Sequence, residues 1–202
     1  MLKSSYIIYS NYLLEKSYKE VFARNLSTTL HTPSDFKSKE NNIIGNSFKI
    51  VYAGNLGIGR HKSLIELSKA LSKINFEYKF EVYGKALSSK IYNELSSCKE
   101  LTYKGFVSYE EVIKALSSSH LQINVERFKK KIRKDIKHAF STKISDSIAS
   151  GIPLLLYAPN TIAGTDYLKD NSAAFIVDNK KHLEHILTEP KTTTVSRDRI
   201  KK

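Results

Sequence analysis

Phe48-Lys49-Ile50-Val51-Tyr52-Ala53-Gly54-Asn55-Leu56-Gly57-Ile58-Gly59-Arg60-His61-Lys62 is the stretch whose reading decides the fold. Six β-prone residues run into three closely spaced glycines. An amphipathic segment follows, in which Leu64, Leu67, Leu71 and Ile74 share one helical face while Lys62, Glu66, Lys69 and Lys73 lie elsewhere. Strand, tight turn and helix in that order make one strand–helix unit, and the pattern recurs along the chain. Further β-rich runs occupy residues 78–83, 101–104, 120–125, 153–157 and 173–177, with helical segments at 108–118 and 142–150. About six strands alternating with helices predict an α/β fold: a doubly wound parallel sheet, helices on both faces, right-handed crossovers.

The flanks read differently. Residues 6–9 suggest a strand, 11–24 a helix with Ser10 as its N-cap, and 26–31 a second β-rich run before the turn Thr32-Pro33-Ser34-Asp35. This piece, 1–36, is too short to bury a core of its own and reads as the last unit of something larger. Residues 37–47 are polar and read as a linker, 48–188 as the main domain, and 189–202 as a poorly ordered tail.

Composition narrows the function classes. The 202 residues carry 33 basic and 20 acidic side chains, a net charge of +13, which favours phosphates, nucleic acid or an anionic membrane as partners. A single cysteine, Cys98, excludes a disulfide framework and fits a reducing compartment. No apolar run reaches the roughly 18 residues a membrane span requires, and the start has no signal-peptide core.

Glycines cluster at the predicted carboxyl ends of strands: Gly54, Gly57 and Gly59 after the first, Gly84 after the second, Gly105 after the third. Such positions admit close approach of a ligand, and helix N-termini that bind phosphate point at the same edge. The spacing Gly-x-x-Gly-x-Gly is neither a dinucleotide fingerprint nor a P-loop, so a bare glycine turn is the competing reading. Arg60 and Lys62 beside it favour an anion. In the segment 138–153, Ser141 or Thr142 can cap a helix, and Lys143 in its first turn opposes the helix dipole by roughly 0.3–1 kcal/mol unless an anion is bound. Asp146, one turn in, could accept hydrogen bonds from a ribose diol; the alternative is a solvated surface carboxylate.

In their order these segments resemble the C-terminal, donor-binding lobe of GT-B glycosyltransferases, most like glycosyltransferase family 4. Residues 49–57 resemble that family's first strand and glycine loop. Phe80-Glu81-Val82-Tyr83-Gly84 resembles its second, and residues 101–111 its nucleotide-base segment. Residues 140–153 resemble its signature helix with the closing Ala-x-Gly-x-Pro. The resemblance covers about residues 48–187 and implies a Rossmann-like lobe. By it, Arg60, with Lys62, would meet the diphosphate with Ser141, Thr142 and Lys143; Gly54, Gly57, Gly59 and Gly84 would border the donor; Phe106 and Val107 would flank the base; Asp146 would hold the ribose. The family's donor-sugar glutamate falls on His138, and the arginine usual beside the first glycine falls on Asn55. His138 is the candidate catalytic residue, an ordinary loop histidine being the competing reading.

What the resemblance implies is transfer of a sugar from a nucleoside-diphosphate sugar to an acceptor hydroxyl, with retention, in cell-surface polysaccharide synthesis. The nucleotide sugar is a substrate, no cofactor is expected, and no Asp-x-Asp or His/Cys cluster suggests a metal. It also implies a missing acceptor lobe, so that the chain reads as a half-enzyme: a truncated product, a fragment, or a subunit completed by a separate acceptor-lobe chain. Residues 127–137 hold seven basic side chains in eleven, and suggest docking on the inner face of an anionic membrane, nucleic-acid binding, or a solvated loop. Three classes stay open: a cytoplasmic or membrane-peripheral donor lobe, a non-catalytic nucleotide-binding module, and a basic nucleic-acid-binding domain.

Overall fold

Two parallel sheets organise the chain. The structure, a computed structural model, describes residues 6–22, 26–30, 34, 36, 47–129, 137–138, 140–179 and 181–183. The predicted tail, all of the linker but Ser47, and the middle of the basic run lie outside the described residues.

The small sheet comes first. Strands β1 (Ile7–Tyr9) and β2 (Ser27–Thr29) pair in parallel, joined by helix α1 (Tyr12–Phe22). The cap of α1 is Asn11, not Ser10: its Oδ1 accepts from the Leu14 N–H at 3.0 Å. Asn11 is fully buried, and both ends of its amide are engaged, Oδ1 at the helix start and Nδ2 on the His138 carbonyl. Glu15 ties the unit together, accepting from the hydroxyls of Ser27 and Thr29 at 2.7 and 2.8 Å. Lys19 and those two hydroxyls hold its carboxyl down to about 2.

The main sheet is built from β3 (Phe48–Ala53), β4 (Tyr78–Tyr83), β5 (Thr102–Gly105), β6 (Leu121–Val125), β7 (Leu154–Tyr157) and β8 (Phe175–Val177). Helices α2 (Arg60–Leu71), α3 (Ser89–Ser96), α4 (Tyr109–Ser117), α5 (Thr142–Ser150) and α6 (Ala163–Asp170) connect them. All pairings are parallel and the strand order is β5-β4-β3-β6-β7-β8. The chain therefore winds outward from β3 in one direction, returns, and winds outward from β6 in the other: the six-stranded, doubly wound, Rossmann-like arrangement. The sheet is covered on both faces. In β7, Leu155 and Tyr157 join the larger core with Leu64, Leu67 and Val82, while Leu154 and Leu156 join a second cluster with Ile144, Ile162 and Leu168. Burial on both faces is why β7 reads as an unbroken apolar run instead of an alternating one.

Most elements begin and end within one or two residues of their sequence boundaries. The fourth helix carries a complete capping box: the Ser108 hydroxyl accepts from the Glu111 N–H, and the Glu111 carboxylate accepts from the Ser108 N–H at 3.0 Å. Helices α3 and α6 escaped the periodicity reading. Leu95 is the one buried residue of α3, and α6 packs through small residues, Ala163, Gly164 and Thr165. A Cβ on Gly164 would lie 2.8 Å from Ile144 Cδ1, so α5 and α6 approach more closely than an apolar stripe would allow.

Candidate functional site

The reversal of winding between β3 and β6 opens a crevice beyond their carboxyl ends, the place where doubly wound folds bind ligands. Two cavities lie along this edge, of about 310 and 360 Å³. Lys143 lines both. The first is bounded by the β6 end (Asn124, Val125, Glu126), by Asn55 and Arg60, and by the start of α5 (Ser141, Thr142, Lys143). The second is bounded by Gly54, Gly84, Lys85, Leu87, Phe106 and Val107.

Three of these features follow from local chain geometry. Gly54 and Gly84 have φ +156°, and a Cβ on Gly84 would fall on the Gly54 carbonyl oxygen, so the two loops touch backbone to backbone. A Cβ on Gly54 would fall on the Lys143 amine, and the missing side chain there is what lets Lys143 reach across the crevice. Its Nζ stands 5.1 Å from the Tyr52 ring centre. Burial, reinforced by the Arg60 cation and opposed by Glu126, lowers the Lys143 amine to about 8. The conflict with the helix dipole foreseen in the sequence is thus joined by a larger one with burial. Ser141 begins α5 but makes no side-chain cap; the Ile144 N–H donates to the Ser141 carbonyl at 3.0 Å, and the N–H groups of Thr142 and Lys143 lack an intrahelical acceptor.

Arg60 differs from expectation. It points into the first cavity but is already engaged: Nε and Nη2 donate to Glu126 Oε2 and Oε1 at 2.9 and 2.7 Å. Burial opposes its charge, and the Glu126 carboxylate outweighs that and raises its pKa further. No local pattern announces this pairing, because 66 residues separate the partners. Glycines 57 and 59 serve the loop itself. The Gly57 N–H donates to Asn55 Oδ1 at 2.6 Å, and Gly59, at φ +79°, starts α2. Between them Ile58 has φ +55°, an uncommon conformation for a β-branched residue, which marks this turn as strained. His61, buried, braces the loop from below, its Nδ1 3.1 Å from the Leu56 carbonyl oxygen and its Nε2 3.2 Å from Glu94.

Of the residues singled out in the sequence, the cavities bring together Gly54, Arg60, Gly84, Phe106, Val107, Ser141, Thr142 and Lys143. Phe106 is 79 % exposed, a bare aromatic face at the mouth of the second cavity. Lys62 is exposed and, like Gly57, Gly59, His138 and Asp146, lines neither cavity. His138 is half-buried; its carbonyl accepts from Asn11 Nδ2 at 2.8 Å, and its Nδ1 is buried without a partner among the described residues. Asp146 accepts from the Ser34 hydroxyl at 2.6 Å. Sequence reasoning passed over Asn124, Glu126 and Tyr52, which lie in strands or just after them and carry no local motif. Among the described residues no cluster of His, Cys, Asp and Glu could hold a metal, and no helix is long and apolar enough to cross a membrane.

Comparison with known proteins places this geometry. No protein-family model and no curated protein sequence matches the chain. Solved structures do. TarM superimposes with a TM-score of 0.68 at 14% identity, over 92% of this chain and 36% of its own. A glycosyltransferase from Rickettsia africae gives 0.68 at 11% identity, over 92% and 53%. HepE from Anabaena, solved with UDP and glucose, gives 0.63 at 14% identity, over 91% and 53%. The chain spans about a third to a half of the length of the structures it matches. At these identities the likeness is one of architecture, and the chain shares the α/β fold of GT-B glycosyltransferases.

Proposed function

We propose that this chain is the donor-binding lobe of a glycosyltransferase, taking a nucleoside-diphosphate sugar in the crevice beyond β3 and β6. The observation that carries the reading is Lys143: a buried amine, aimed at the crevice from the start of α5, with no carboxylate within ion-pair distance among the described residues. A buried cation beside a helix N-terminus is suited to an anion. The diphosphate would lie against Lys143 and the first turn of α5, and the base would enter the second cavity beside Phe106 and Val107. Asp146 would accept from the ribose.

In the reaction, the bond between the sugar's anomeric carbon and the diphosphate oxygen breaks, and the acceptor oxygen bonds to that carbon as it loses its proton. Negative charge grows on the departing diphosphate. Lys143 and α5 stabilise that charge most where it is greatest, in the transition state. Arg60 contributes less than its position suggests, since Glu126 already balances it. Retention, and a role without a metal, remain part of this proposal.

Catalysis would need a second lobe for the acceptor. Supporting this is the small sheet: its face away from α1 presents Ile8, Leu26 and Leu30, all at least 60 % exposed. A two-stranded parallel sheet with one bare apolar face is not a stable end state in water. We assign that face to an acceptor lobe packed against it. The test is calorimetric titration of the purified chain with UDP, GDP and ADP at two salt concentrations, beside Asp146→Ala. Saturable binding of one nucleotide, weakened in the variant, is expected; no binding to any of them refutes the donor site. Salt-sensitive oligonucleotide binding indifferent to Asp146→Ala would instead favour a nucleic-acid role.

A further inference from the structure

The amino-terminal unit and the donor-site helix meet at two hydrogen bonds that span most of the sequence. Asn11 Nδ2 donates to the His138 carbonyl at 2.8 Å, just before α5. The Ser34 hydroxyl donates to Asp146 Oδ1 at 2.6 Å, within α5. Neither anchor is loosely placed. Asn11 is fully buried, and its Oδ1 caps α1. Ser34 Oγ in turn accepts from the Phe36 N–H at 3.0 Å, and Phe36 is buried. The single hydroxyl proton of Ser34 is therefore directed at Asp146 by a turn locked on its far side.

We infer that Ser34 is a positioning residue for the donor's ribose, acting through Asp146; this rests on the donor-lobe reading above. Asp146 lies three residues after Lys143, nearly one helical turn, and so on the same flank of α5. A carboxylate on a free rotamer must be ordered before it can accept two hydroxyls, and a hydrogen bond to one oxygen does that in advance. Ser34 uses one acceptor position on Oδ1. Among the described residues, Oδ2 carries no donor and stays open to the diol. A carboxylate offers about four such positions, so Ser34 orients Asp146 without displacing the ribose. Because Ser34 belongs to the amino-terminal unit, the same bond couples the placement of that unit to donor affinity.

The test separates orientation from general structure. The full chain is titrated with whichever of UDP, GDP and ADP it binds, and with that nucleotide's 2′,3′-dideoxy form, which lacks both hydroxyls. Ser34→Ala is expected to weaken the ribonucleotide about two- to tenfold, the effect of one side chain's ordering, and to leave the dideoxy affinity unchanged. Ser34→Thr, which keeps the hydroxyl, is expected to bind close to the parent. Asp146→Asn should weaken the ribonucleotide selectively as well. Equal loss of both nucleotide forms in Ser34→Ala would overturn the proposal in favour of a merely structural bond. Unchanged or tighter ribonucleotide binding would overturn it too, the latter by making Ser34 a competitor. If Asp146→Asn weakens binding and Ser34→Ala does not, this inference alone fails. If the parent chain binds none of the three nucleotides, the donor reading fails with it.

Discussion

Raising the pH through 8 should release the ligand from this protein, and the structure sets the size of the effect. Lys143 is held at about 8 by burial and by the Arg60 cation. Its ordinary value is 10.5. At 1.36 kcal/mol per pH unit, that fall is worth roughly 3 kcal/mol against the charged amine. A diphosphate seated against Nζ favours the charged form and draws the pKa back up. Below pH 8 the amine is charged in both states and affinity is flat. Between about pH 8 and 10.5 the free protein has lost the proton that the complex keeps, so affinity falls by up to about tenfold per pH unit. The folding equilibrium runs the other way: over the same window the unfolded chain holds more protons, so stability rises with pH. The assay is calorimetric titration with the bound nucleoside diphosphate at pH 7, 8, 9 and 10, in two buffers of different ionisation enthalpy. Near pH 9 the complex should take up about 0.9 proton. Lys143→Met should abolish both the uptake and the slope, and should raise stability at neutral pH. Flat affinity with no proton uptake would refute the placement of the diphosphate at Lys143.

Other substitutions test the frame around the site. Gly84→Ala puts a methyl on the Gly54 carbonyl oxygen and should cost about 2–4 kcal/mol in urea unfolding, whereas Gly105→Ala, at φ +76° with nothing within 4 Å, should cost only about 1–2 kcal/mol. Similar losses at the two sites would contradict the contact between the glycine loops. Glu126→Gln removes the charge that balances Arg60; it should lower the urea midpoint yet tighten diphosphate binding by roughly tenfold, since a hydrogen bond to a charged group is worth about 1.5–3 kcal/mol. Weaker binding in that variant would refute the masking of Arg60 and mean that Glu126 serves the site by helping to keep Lys143 charged. His61→Ala leaves the Leu56 carbonyl and Glu94 without their buried partner and should destabilise by about 1–3 kcal/mol, read from thermal unfolding.

The sheet was legible in the sequence because its determinants are local. Each of the six strands is a short β-prone run, continuously apolar in β7 and mixed with polar residues in β4 and β5, and the glycines that end β3, β4 and β5 stand where the backbone must turn or be approached. The extent of α5 and, to within one residue at each end, that of α4 were equally plain. Helices α3 and α6 were not, because one buried leucine or a row of small residues leaves no periodic stripe. Parallel alternation also left the strand order open; only the pairing of β3 with both β4 and β6 places the reversal, and with it the crevice.

Charge told its story in the same divided way. Spacing along a strand–helix unit puts Arg60 and Lys143 toward the carboxyl edge of the sheet, where both line the first cavity, whereas Asp146 lines neither cavity. What each can do was decided in three dimensions. Arg60 is balanced by Glu126, Lys143 is desolvated over Tyr52 and Gly54, and Asp146 is oriented by Ser34, 112 residues earlier. Periodicity reports which face of its own element a residue occupies. The charge state and freedom of a side chain depend on what other elements bring against it, and those neighbours come from distant parts of the chain. Sequence therefore determined the α/β framework and the edge at which to look, while tertiary packing chose Lys143 as the buried cation of the site.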